Sequence, residues 1–147
     1  MPHEIDLHNA RNAFRSSLKK GVRDTGFLSR LRGRDNRILL LSHVLAAVTV
    51  SGETYLGVQD VRVDHIIGTE NRGEDFSRDF RPRGRRLEQR WTAIYELLRR
   101  GELDEPISAI EVGGFFFVRD GHHRVSAAKA LDVTYLSAVV TRYELPY

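Results

Sequence analysis

The sequence predicts an α+β domain, in which a small mixed β-sheet packs with helices and follows a helical N-terminal extension. Three observations support this fold class. An apolar stripe over residues 87–98 has helical spacing, two alternating segments flank a Gly-Gly pair at residues 113–114, and a segment rich in β-branched residues lies near the C-terminus. The length of 147 residues fits one ordinary domain.

The first part of the chain carries helix signals. Apolar residues recur at near-helical spacing at Leu7, Ala10, Phe14 and Leu18. Gly21 predicts the end of that helix, and a shorter helix is expected over residues 27–31. Residues 58–63 then favour a strand. We therefore divide the chain into a helical extension, residues 1–54, and a second, α+β domain, residues 55–147.

The second part alternates helices and strands. Residues 72–84 are charged and interrupted by glycine and proline, which indicates a long loop. The stripe that follows predicts a helix through Leu87, Trp91, Ile94, Tyr95 and Leu98, closed by Gly101. Strands over residues 107–112 and 115–118 form a hairpin, a helix runs through Val125 to Leu131, and a strand over residues 136–140 closes the domain.

The composition excludes several classes of protein. The chain contains no cysteine, which removes disulfides, cysteine-ligated zinc sites and thiol nucleophiles. No apolar run approaches the ~18–20 residues that a membrane-spanning helix needs. The first residues lack the basic and apolar regions of a secretory signal. We therefore expect a cytoplasmic protein without membrane contact.

The formal net charge of +3 conceals two basic blocks. Residues 11–37 carry nine Lys or Arg against two acids, and residues 72–100 carry nine Arg against five acids. The planar guanidinium group suits phosphate and carboxylate oxygens. The blocks are interpreted either as solvated helix faces or as contacts to nucleotide or nucleic-acid phosphates.

The segment with the clearest chemistry is Asp120-Gly121-His122-His123-Arg124, which joins a predicted strand to a predicted helix. The backbone N–H groups at a helix start have no internal partner, and the helix dipole favours an anion there. Gly121 allows close backbone approach, while the histidine and arginine side chains supply donors. Asp120 is a candidate to cap the helix and to orient an imidazole. The alternative is a capped helix whose histidines bind no ligand.

These residues and their surroundings resemble the ParB/sulfiredoxin superfamily. The resemblance rests on the strand, turn, strand, Asp-Gly-x-x-Arg and Ala-Ala helix order over residues 106–128, and on the closing strand over residues 136–140. Upstream, Val61 to Ile67 is similar to the first strand of a ParB-like domain, and residues 68–72 resemble its arginine-containing loop. The resemblance covers about residues 55–143.

Members of the superfamily differ in activity. Sulfiredoxin activity is excluded because its motif requires a cysteine where this chain has His122. A complete partition protein is not expected, because the chain ends at Tyr147, shortly after the closing strand. The free serine kinases of this superfamily have an Asp-Gly-x-His-Arg motif, which Asp120 to Arg124 matches more closely. ParB-like nucleases are a further relative.

The resemblance implies a pocket for nucleotide phosphates at this helix start. It assigns phosphate binding to Gly121, His122, His123 and Arg124, with Asp120 beside them and Arg72 reaching in from the opposing loop. His123 is also a catalytic candidate. Three acids near the opposing loop are implied as general bases or magnesium ligands, namely Glu70, Glu74 and Asp75.

Three functions remain open at this point. The first is binding of ATP, ADP or CTP with magnesium, with phosphoryl transfer or nucleotide hydrolysis. The second is binding or cleavage of DNA or RNA through the arginine-rich residues 72–100. The third is a phospholigand-binding module without turnover.

Overall fold

The structure, a computed structural model, describes residues 4–25, 37–71 and 73–146. Its helices in chain order are α1 (Glu4–Thr25), α2 (Leu41–Leu45), α3 (Glu88–Arg99) and α4 (His122–Ala130). Its strands are β1 (Leu39–Leu40), β2 (Gly52–Arg62), β3 (Ile66–Thr69), β4 (Ile107–Val112), β5 (Phe115–Asp120) and β6 (Tyr135–Glu144). Short 3₁₀ helices occupy Val63–His65 and Arg85–Leu87. The predicted α+β class is confirmed.

The strands form one mixed sheet in the order β1-β3-β5-β4-β6-β2. β3 lies parallel to both β1 and β5, and β4 lies parallel to β6. The β4–β5 and β6–β2 pairs are antiparallel. The predicted hairpin is confirmed, since Gly113 and Gly114 both have positive φ between β4 and β5, as a two-residue hairpin turn requires.

Apolar side chains fill both faces of the sheet. Phe116 and Phe117 are neighbours in β5, and alternation sends their side chains to different clusters. The larger cluster lies under the long helices and includes Phe14 of α1, Trp91 of α3 and Val125 of α4. The smaller cluster forms around Leu41 at the start of α2. The start of α4 therefore lies between a filled sheet face and α3.

α3 confirms the helix predicted from the apolar stripe over residues 87–98. Trp91 is fully buried, and its ring stacks on that of Tyr95 at 5.2 Å between centroids. Gly101, with φ of +69°, follows the end of the helix.

α1 does not end at Gly21 as predicted but continues to Thr25. Gly21 is buried, and a Cβ atom there would lie 2.5 Å from the carbonyl oxygen of Pro82. The glycine therefore permits close packing of α1 on the 81–82 segment rather than a helix end. The helix predicted over residues 27–31 lies outside the described residues.

Two strand predictions also differ from the structure. β2 begins at Gly52, earlier than residues 58–63 indicated. Residues 61–67 do not form one strand, because the 3₁₀ helix Val63–His65 separates β2 from β3. The break is required because β2 is an edge strand beside β6, whereas β3 pairs with β1 and β5 toward the other edge.

No helix in the described part of the chain is both long enough and apolar enough to cross a membrane.

Candidate functional site

The candidate site is the junction of β5 and α4. β5 ends at Asp120, Gly121 occupies the N-cap position, and α4 begins at His122. No side chain caps α4, so the prediction that Asp120 caps this helix is wrong. The Asp120 side chain is 82% exposed, and its carboxylate lies 3.9 Å from the Arg124 guanidinium. The helix dipole therefore favours an anion at this end of α4.

Gly121 is required here for two reasons that do not involve a ligand. Its φ of +110° is a conformation that other residues adopt only with strain. A Cβ atom at this position would also lie 2.5 Å from Cγ2 of Ile107. The glycine thus allows α4 to start directly against β4.

The His122 side chain points into the core. It is 4% exposed, and its Nε2 lies 2.5 Å from Oγ1 of Thr69 at the end of β3. Its ring stacks on Phe76 at 6.1 Å and on Phe80 at 6.5 Å. This imidazole connects α4 to β3 and to the 76–80 segment.

His123 is also buried, with 6% of its surface exposed. The Phe76 ring meets its imidazole edge to face at 5.4 Å. Both histidines therefore position the first turn of α4 from the inside.

A small cleft opens at this helix start, with a volume of about 210 Å³. It is lined by Arg90, Ile94, Glu105, Asp120, Gly121, His122, His123 and Arg124. Nη1 of Arg124 donates to the carbonyl oxygen of Glu105 at 2.6 Å, which holds the guanidinium at the cleft. Arg90, from α3, is exposed.

The three predicted acids lie elsewhere. Glu70 accepts a 2.7 Å hydrogen bond from Nε of Arg119, and this hydrogen bond raises the pKa of Arg119. Glu74 and Asp75 line a different cleft of about 680 Å³ that also includes His43 and Arg78. The structure therefore brings Asp120, Gly121, His122, His123 and Arg124 together without Glu70, Glu74 or Asp75.

Arg72 lies outside the described residues. Within residues 4–25, 37–71 and 73–146, no three histidine or carboxylate side chains cluster in a way that could hold a metal ion.

Sequence reasoning missed four residues that build this site. Thr69 anchors His122, Phe76 and Phe80 enclose its ring, and Arg90 completes the cleft. Phe76 and Phe80 stand four residues apart in a stretch rich in arginine. Two aromatic residues in such a polar segment indicate a buried anchor, and this signal could have identified them.

Comparison with solved structures shows a distant similarity to sulfiredoxin. No family model matches the sequence, and no curated protein matches it either. The matched structure is the crystal structure of sulfiredoxin from Arabidopsis thaliana. The match covers 56% of this chain and 82% of the sulfiredoxin chain, with 18% sequence identity and a TM-score of 0.39.

Proposed function

We propose that the protein binds a nucleotide through its phosphate at the start of α4. The observation that supports this proposal is the cleft at the start of α4, where the first turn of the helix lies beside Arg90 and Arg124. The positive end of the helix dipole provides the anion site. The two guanidinium groups add charge-assisted hydrogen bonds to phosphate oxygens.

The buried histidines contribute by fixing this backbone. His122 is held by Thr69 and by two phenylalanine rings, so the helix start cannot shift without disturbing the core. Donors that are held in place before the ligand arrives lose little conformational entropy on binding. The histidine side chains thus act through position rather than by contact with the phosphate.

The size of the cleft limits what enters it. Ligand pockets commonly have volumes of about 300–1,000 Å³, whereas this cleft has about 210 Å³. The phosphate end of the nucleotide fits inside. The sugar and base would extend beyond the cleft, whose lining includes Arg90 and Ile94 of α3.

The carboxylates at the cleft would hold a magnesium ion beside the bound phosphate. Mg²⁺ commonly takes one or two carboxylates and completes its shell with water and phosphate oxygens, and it would neutralise part of the phosphate charge. Glu105 and Asp120 line the cleft, and the Asp120 carboxylate is well exposed. These two acids, rather than Glu74 and Asp75, are the candidates to hold the ion.

The test is thermal unfolding of the full chain with inorganic phosphate, ADP, ATP or CTP, each with magnesium or with a chelator. We expect at least one nucleotide to raise the melting temperature of the wild-type protein. Arg90→Ala and Arg124→Lys should abolish most of that rise, because each removes a guanidinium group from the cleft. Phosphate release over several hours then separates turnover from binding alone.

Arg62→Ala is the matched control. Arg62 is half exposed, pairs with Asp64 at 2.8 Å and does not line the cleft, so this variant should keep the full ligand-induced rise. An unchanged melting temperature with every nucleotide would refute the proposed function. An equal loss of the rise in Arg62→Ala would show that the cleft is not the site.

A further inference from the structure

A groove between α1 and α3 brings the two basic blocks of the sequence together. Its volume is about 850 Å³. Five arginines line it, two from α1 and three from the 85–100 segment, namely Arg11, Arg15, Arg85, Arg86 and Arg100. We call it the arginine groove. It shares no lining residue with the cleft at the start of α4.

The walls of the arginine groove are held by the core. Phe14 of α1 is fully buried and meets Trp91 of α3 edge to face at 5.6 Å. Arg11 and Arg15 stand four residues apart, so both side chains leave the same side of α1. Lys19 extends this row by one more turn and is exposed.

Much of the positive charge in the groove is not neutralised. Arg11, Arg15 and Arg85 form no ion pair with any described residue. The acids that line the groove are Glu88 and Glu96.

Glu96 contributes little negative charge to a ligand. Its side chain is 4% exposed, and it pairs with Arg99 at 3.0 Å and Arg100 at 3.7 Å. On the same wall, Arg86 pairs with Asp75. The groove therefore presents at least three unpaired guanidinium groups from two different elements.

We propose that the arginine groove binds the phosphodiester backbone of double-stranded nucleic acid without reading its sequence. A row of cations along a helix, facing a third cation on the opposite wall, suits a ligand with regularly repeated negative charge. Guanidinium forks pair well with phosphate oxygens. None of the lining residues is aromatic, so the groove lacks the platforms on which single-strand binders stack bases.

The experiment measures fluorescence anisotropy of a short DNA duplex and of the corresponding RNA duplex, with the full chain, over a range of salt concentrations. Affinity for at least one duplex should fall linearly with salt on logarithmic axes. Arg15→Ala and Arg85→Ala, one from each wall, should each weaken binding and reduce the magnitude of the salt slope by about one. Comparing the affinities for the two duplexes shows whether the groove binds DNA or RNA more tightly.

Lys20→Ala is the control because it removes one positive charge from the same helix. Lys20 is exposed and lies about 180° from Arg11 around the helix axis. The slope of duplex affinity against salt for Lys20→Ala should equal that of the wild-type protein. Circular dichroism and thermal unfolding of each variant confirm that the exposed substitutions leave the fold intact.

Three results would overturn the proposal. The first is absent or salt-insensitive binding of both duplexes. The second is an equal change of slope in Lys20→Ala and Arg15→Ala, which would indicate diffuse attraction to the whole protein. The third is binding of polyglutamate with no binding of either duplex, which would make the groove a site for an acidic protein. Because Arg90→Ala leaves the groove intact, failure of nucleotide binding at α4 is distinguishable from failure here.

Discussion

The Nε2 atom of His122 lies 2.5 Å from the Oγ1 atom of Thr69, and both side chains are buried. The same hydroxyl accepts the backbone N–H of Asn71 at 3.2 Å and lies 3.4 Å from the carbonyl oxygen of Val118. One threonine thus connects the end of β3, the Val118 backbone within β5 and the first residue of α4. The position of the candidate phosphate site depends on this group of contacts.

Thr69→Val should destabilise the protein by about 1–3 kcal/mol, because it removes the hydroxyl partner of the buried His122 imidazole. Chemical denaturation measures the change in the free energy of unfolding. Thr54→Val, the same substitution at an exposed position of β2, is the control and should change stability little. Equal stability of Thr69→Val and the wild type would show that the contact does not hold α4 in place.

Gly121→Ala should be among the more destabilising single substitutions in the chain. The added Cβ would meet Ile107 at 2.5 Å, and φ of +110° is strained for alanine. The backbone strain alone costs about 1–3 kcal/mol. Gly52→Ala is the control, since nothing lies within 4 Å of its added Cβ. A loss no greater than that of Gly52→Ala would contradict this account of the β5–α4 junction.

The local features of the fold could be predicted from the sequence. The stripe around Trp91 and the Gly113-Gly114 turn depend on residues close together in the chain, so each predicts its own element. The start of α4 at Asp120-Gly121 is likewise determined by residues close together in the chain. These features account for α3, the β4–β5 hairpin and the location of the candidate site.

The inward orientation of the His122 and His123 side chains could not be predicted, because it depends on residues that are distant in the sequence. His122 is buried because Phe76, Phe80 and Thr69 enclose it, and these partners lie 40 or more residues earlier in the chain. Gly21 is misleading for a similar reason, since its close approach to Pro82 is set by tertiary packing. The grouping of Arg15 with Arg85 also requires knowledge of how α1 packs on α3.

Lys129 makes stability depend on pH. Burial lowers its pKa below the ordinary value of 10.5, while its Nζ donates to the carbonyl oxygen of Ile66 at 3.1 Å. Between the lowered pKa and 10.5 the unfolded chain binds more protons than the folded protein, so the wild type should gain stability as pH rises through that range. Lys129→Met cannot titrate and should lack this gain. Parallel changes in the two proteins between neutral and alkaline pH would contradict the assignment.

The most direct test of the proposed nucleotide site is an NMR titration of the ¹⁵N-labelled full chain with ADP, in which the chemical shifts of the backbone amides are monitored. Phosphate at the start of α4 should shift the amides of His122, His123 and Arg124 most strongly, in a saturable manner, and Arg124→Lys should weaken the effect. Saturable shifts confined to other parts of the chain, with these three amides unchanged, would contradict the account.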